Sequence, residues 1–264
     1  MAGKKAPGID DALQSLKGEL ADWELFLSSY PDNSAVFAGA DLSEADLAER
    51  NLSGLDLTGT DLFEAKLPSA NLKHAKMDRA ELSGADLSNA GLYKASLSAA
   101  TLTAANLQNA DLTEADLSCA DMRGANLAGA DLTSSDLLDA NRTNADLRDT
   151  CLENANISRA SFCTARVEGA NVTSVVYGNL KDMSGRYLGI RGIDSVYGNA
   201  LFTRDARDQD YIDTLEASIS NMPSGFTKSV ELVLFKAWGL FDHGRSLLKV
   251  GIYALFLAML YGII

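Results

Sequence analysis

The sequence predicts an all-β solenoid, a four-sided coil with leucines pointing inward, and three features lead to it. A large apolar residue recurs at every fifth position from Phe37 to Val172, with Arg142 the one exception. A small residue, usually Ala, stands two places before nearly all of them, and Asp or Asn most often lies between. No insertion breaks this register between Ala35 and Val172.

A period of five suits neither the 3.6 of a helix nor the 2 of a strand, so in either element the leucines would spiral away from one face. A coil that turns a corner every five residues buries all of them. Four sides make one square turn, and successive turns stack at about 4.8 Å through backbone hydrogen bonds. Leucines then lie in columns along the axis, flanked by Ala columns where a larger side chain would overpack the corner. About seven coils and a rod roughly 34 Å long are expected.

The triplets Ala-Asp-Leu at 40–42, 45–47, 85–87, 110–112, 115–117 and 130–132 carry a resemblance. From Ala35 to about Tyr177 the chain resembles the pentapeptide-repeat family, whose signature is A(D/N)LXX. The resemblance implies a right-handed quadrilateral β-helix; the handedness comes from the family and not from the spacing.

Departures from the pattern predict local irregularity. Arg50 and Leu55 replace the small residue, so the first coils are expected to be wider or imperfect. Arg142 occupies an inward position on the face of Leu102, Met122 and Phe162. An unpaired buried guanidinium is costly, which predicts a bulge that lets Arg142 reach water or a carboxylate such as Asp139 or Asp146. Arg142 is also a candidate partner-binding residue.

The ends of a solenoid need covering. Within the tail at 1–34, a helix over residues 9–30 carries Leu13, Leu16, Leu20, Trp23 and Leu27 at three-and-four spacing and is expected to cap the first coil. The β-helix is expected over 35–177, followed by a linker and helix over 178–225, the helix running from about Arg204 to Met222. Its polar run supplies further candidate partner-binding residues: Arg204, Asp205, Arg207, Asp208 and Asp210. Alternating signs at this spacing indicate solvated ion pairs rather than a catalytic cluster.

Residues 226–245 read as an interfacial amphipathic helix and 246–264 as a transmembrane helix. The eighteen residues from Leu247 to Ile264, apolar except for Lys249, reach about 27 Å, marginally enough for a bilayer core. The expected anchoring residues are Trp238, Phe241, Arg245, Lys249, Tyr253, Phe256 and Leu260, with Lys249 snorkelling. Basic residues precede the span, so the solenoid is expected on the cytoplasmic side of a bacterial inner membrane. The apolar run reaches Ile264, as in a tail anchor or in a chain that continues into further membrane helices. No secretory leader is expected, because the short basic stretch Met1 to Gly8 is not followed by an apolar run. The linker around Tyr197-Gly198-Asn199-Ala200-Leu201-Phe202, with Asp242-His243-Gly244-Arg245-Ser246, is similar to bacterial membrane pentapeptide-repeat proteins that bear a two-helix, channel-like pore module. Their Thr-x-Gly-Tyr-Gly or Gly-Phe-Gly-Asp filter and a second span are missing from this sequence.

Nothing in the sequence suggests catalysis. Its two histidines, His74 and His243, are far apart, and no phosphate loop, zinc spacing or nucleophile elbow occurs. No cofactor or metal is expected, and Cys119, Cys151 and Cys163 read as reduced thiols. A net charge of −13 argues against nucleic acid as a partner. The leading expectation is a non-enzymatic scaffold that is tethered to the bilayer and engages protein partners, in a membrane complex or by self-association. Two others follow it: the cytoplasmic regulatory part of a channel-like protein, and a DNA mimic that binds a type II topoisomerase. Lys66, Lys73, Lys76, Arg79 and Lys94 interrupt the negative surface that the last would need.

Overall fold

The computed structural model describes residues 37–178 and 187–221. The capping helix expected over 9–30, the helices expected over 226–245 and 246–264, and the seven anchoring residues lie outside the described residues.

From Asp41 onward, parallel bridges join residues 20 apart, from Asp41↔Asp61 through to Asn156↔Val176. Twenty residues at five per side make a four-sided turn. One side accounts for its own backbone. Asp61 N–H donates to Ala40 in the coil before (2.9 Å) and Leu62 N–H to Glu81 in the coil after (2.7 Å). Glu64 N–H also reaches the coil after, at Ser83 (3.0 Å), and Ala65 N–H closes the corner onto Leu62 (3.0 Å). Only Phe63 N–H is left, and it donates to Oδ1 of Asp61 (3.0 Å). This explains the Asp or Asn of the repeat: its short side chain supplies the acceptor that the ladder cannot. Where Lys66 stands instead, the residue two places on is Pro68, which has no N–H to satisfy.

The residue after that N–H lies in the left-handed region at every corner, with φ of 52° at Glu64 and 69° at Gly54. This conformation strains a side-chain-bearing residue. Gly39, Gly54, Gly59, Gly84, Gly124, Gly129 and Gly169 share this position with many non-glycine residues.

The interior holds the leucine and alanine columns, nearly all fully buried. At Ala the corner bond measures 2.9–3.2 Å; it lengthens to 3.3 Å at Leu55 and to 3.4 Å at Thr150 and Val175. The first coils, expected to be wider or imperfect at Arg50 and Leu55, keep the 20-residue register, with corner bonds of 3.2 and 3.3 Å. Arg50 is half-buried.

The β-helix does not end at 177, and residues 187–197 are not linker. They continue the coil, with the pairing step lengthened from 20 residues to 25 (Arg166↔Arg191) and 26 (Asn171↔Tyr197). Tyr187-Leu188-Gly189-Ile190 reproduces one side: Tyr187 is buried inward, Gly189 takes the corner at φ 71°, and Ile190 is buried at the small-residue position. A 3₁₀ turn, Ile193–Ser195, then leads to helix α1, Ala200–Ser220.

Helix α1 starts four residues earlier than its apolar spacing predicts because Asn199 caps it. Asn199 Oδ1 accepts from Phe202 N–H (3.0 Å) and its carbonyl from Thr203 N–H (3.0 Å). Phe202, Ala206 and Gln209 are buried, and the helix as far as Gln209 belongs to the same compact unit as the solenoid. Among the described residues no helix is long and apolar enough to cross a membrane.

Candidate functional site

Two places concentrate chemistry that the repeat does not require: the interior around Arg142, and the closed end of the solenoid.

Arg142 has 0% exposure, and the expected bulge is absent. Its neighbour Asn141 bridges both Asp121 and Ser161, and Arg142 N–H donates to Ser161 (3.0 Å) as any inward residue does. With both adjacent ladders intact, the side chain has no route outward. Asp139 and Asp146 sit on the outer surface, where Asp139 pairs with Arg159 and Asp146 with Arg148 (2.6 Å) and Arg166 (3.5 Å). Nε, Nη1 and Nη2 of Arg142 make no hydrogen bond among the described residues. The guanidinium instead lies 4.0 Å from the centre of the Phe162 ring, the next residue in its column. Burial pushes its pKa down to about 10. As a partner-binding residue Arg142 would have to be reached from outside, and its side chain is sealed within the core.

The same coil carries two other buried polar residues at small-residue positions, Ser135 and Thr150. Their hydroxyls donate to the carbonyls of Leu132 (2.7 Å) and Leu147 (2.8 Å). This polar layer was visible in the sequence as two hydroxyl residues replacing Ala within eight residues of Arg142.

Beyond Phe162 the column ends in aromatic rings. Phe162 stacks on Tyr187 at 5.5 Å, and Phe202 meets Tyr187 at 6.5 Å and Tyr177 at 5.1 Å, both edge-on. Phe202 therefore closes the apolar end of the rod. Sequence reasoning missed Tyr187, Phe202 and Asn199, because their roles depend on a coil that resumes after an insertion.

The polar run does not form one cluster. Arg204 pairs with Asp205 (2.8 Å), whose other oxygen accepts from Tyr177 Oη (3.4 Å). Arg207 pairs with Asp194. Asp208 and Asp210 lie further along α1. Arg204 and Arg207 line a shallow groove of about 340 Å³ with Val196, Tyr197 and Thr203. No group of three or more His, Cys, Asp or Glu able to hold a metal ion occurs among the described residues.

A stack of five-residue sides with an Asp or Asn acceptor at most corners defines a pentapeptide-repeat β-helix. The family described as pentapeptide repeats matches in eight copies, over 33–68, 65–103, 95–133, 125–163 and 143–175, and the chain belongs to it. Solved members of this family are right-handed β-helices. Among solved structures the chain is similar to HetL, a pentapeptide repeat protein involved in heterocyst differentiation regulation from the cyanobacterium Nostoc sp. strain PCC 7120. The identity is 28%, over 57% of this chain and 79% of HetL, with a TM-score of 0.30. It is similar also to trypsin-treated QnrB1, a plasmid-mediated fluoroquinolone resistance protein, at 15% identity over 59% of this chain and 83% of that one (TM-score 0.42). Rfr23 from the cyanobacterium Cyanothece 51142 is 22% identical over 58% of this chain and 96% of its own (TM-score 0.30). Among curated proteins none matches.

Proposed function

We propose that this chain is a non-enzymatic, membrane-tethered scaffold whose rigid β-helix offers flat faces to protein partners on the cytoplasmic side of a bacterial inner membrane. The observation that carries the scaffold reading is the filled interior: Leu and Ala columns occupy it from Phe37 to Val175, and Phe202 closes one end. The interior of the described coils leaves no room in which to desolvate a small substrate. What it can offer is a regular outer surface of Asp, Asn, Ser and Thr fixed by the ladder.

The tether rests on sequence, on the basic and aromatic residues of 226–245 and the apolar run of 246–264. A channel-like assembly in which this chain is the cytoplasmic regulatory part is the second reading, favoured by the sequence from Tyr197 to Phe202. The topoisomerase-binding reading is weaker. Lys66 stacks between Asp46 and Asp86, and Lys76 next to Asp56, so the acidic rows are broken.

Fractionation of cells that express the full chain tests the proposal. The chain is expected in the membrane pellet after a high-salt wash, released by detergent together with a stoichiometric membrane protein. Recovery as a soluble monomer without detergent would overturn the tether, and recovery alone from detergent would overturn the scaffold.

A further inference from the structure

One face of the solenoid carries an uneven charge. Its flat column runs Asp56, Lys76, Ser96, Asp116, Asp136, Asn156, each bridged to the next. The neighbouring corner column runs Gly59, Arg79, Ala99, Cys119, Asp139, Arg159. Positive charge sits at Lys76 and Arg79 and negative charge at Asp136, with Asp139 paired to Arg159; Ser96, Ala99, Ser118 and Cys119 fill the centre beside Asp116.

The two basic residues differ from the arginines of the later coils, a feature they share with Lys66, Lys73 and Arg191, which are likewise exposed without an ion pair among the described residues. Arg123, Arg148, Arg159 and Arg166 each pair with a carboxylate of their own or an adjacent coil. Lys76 and Arg79 are exposed and make no ion pair among the described residues. Nearby Asp78 instead accepts from Ser96 Oγ (2.5 Å).

We propose that this face binds a second copy of the chain, antiparallel, across a two-fold axis that crosses the face at right angles to the rod. Such an axis returns each column onto itself in reverse, so that residue pairs are set by arithmetic. Lys76 and Asp136 stand three coils apart, about 14 Å along the rod. With the axis midway between them, Lys76 meets Asp136 of the second copy, and Arg79 meets Asp139 of the second copy. Ser96 then faces Asp116, and Ala99 faces Cys119. Every charged pair occurs twice, as a closed two-fold contact requires. The small central residues let the two flat faces approach.

The interface is narrow. Four coils of one side amount to a few hundred Å² per copy, below the roughly 1,000 Å² total of a stable complex. Association is therefore weak and salt-sensitive in solution. It rests on the tether proposed above for its strength, since confinement to a membrane raises the effective concentration.

Cross-linking in isolated membranes of cells that express the full chain tests this, with a short bismaleimide spanning about the 10 Å between facing sheets. A dimer joined through the exposed Cys119 is expected, absent in Cys119→Ser and diminished at high salt. Lys76→Glu with Arg79→Glu is expected to reduce it roughly tenfold through like-charge juxtaposition. Adding Asp136→Lys and Asp139→Arg to that chain restores complementarity and with it the cross-link, which mere misfolding could not do. A wild type that does not cross-link, a reversal without effect, or a full swap without rescue each overturns the proposal. Fractionation of the same cells reads the tether separately. If the chain is found in the soluble fraction, the same reagents applied there at matched concentration still decide the pairing.

Discussion

The guanidinium carbon of Arg142 lies 4.0 Å from the ring centre of Phe162, one coil further along the same inward column. A desolvated cation over an aromatic face gains about 2 kcal/mol. Burial without a hydrogen-bond partner opposes it: a guanidinium pKa pushed down to about 10 corresponds to a penalty of a few kcal/mol. The stack softens the penalty without removing it.

Arg142→Leu is therefore expected to stabilise the solenoid by about 1–4 kcal/mol, measured by denaturant unfolding of the full chain. The pH dependence has a definite sign. The folded-state pKa lies below the unfolded one, so below about pH 10 both states are protonated and the wild type carries its full deficit against Arg142→Leu. Above that pH the folded chain releases its proton while the unfolded chain still holds one. The wild type then gains stability relative to the variant, and the gap narrows.

The adjacent pair Ala104 and Ala105 should respond to glycine in opposite directions. Ala104 occupies a corner at φ 57°, where a Cβ is strained, so Ala104→Gly is expected to stabilise by about 1 kcal/mol. Ala105 is buried and points inward, so Ala105→Gly is expected to destabilise by about 1 kcal/mol through lost packing and added chain entropy. Paired thermal melts would read the difference.

Asp111 Oδ1 accepts from Thr113 N–H (3.1 Å). Asp111→Asn keeps an oxygen there and should leave stability nearly unchanged. Asp111→Ala leaves the N–H to water and is expected to cost about 1 kcal/mol. Equal loss in both would mean that charge, not the acceptor, matters at this position.

Acid should unfold the rod in a way that the surface arginines control. The side-chain hydrogen bonds from Arg123 and Arg148 are the main cause holding Asp121 and Asp146 below the usual carboxylate range. Their stabilisation is complete above the unfolded-state pKa and is lost as pH falls through the lower folded-state value. Arg123→Gln with Arg148→Gln is expected to move the acid-unfolding midpoint, followed by circular dichroism, to higher pH.

Replacing Asn199 with Ala removes the acceptor for Phe202 N–H. A loss of about 1 kcal/mol is expected. Because Phe202 closes the core, faster amide exchange should appear first at Tyr187 to Tyr197.

The chain's period was enough to dictate the five-residue sides, the inward Leu and Ala columns, and the candidate status of Arg142, because each coil repeats one local solution and contacts mainly its neighbours. The left-handed corner was not legible there, because Glu, Ser, Arg, Lys and Ala hold it alongside Gly and Asn. Nor was the place of Arg142. That depended on two intact ladders that block its exit and on Phe162 arriving 20 residues later. The pairing of Arg166 with Arg191 and of Asn171 with Tyr197 likewise needed three dimensions, because residues 25 and 26 apart no longer share the repeat. Local periodicity can specify what every coil has in common. Contacts that close a column or bridge an insertion are set only when the coils stack.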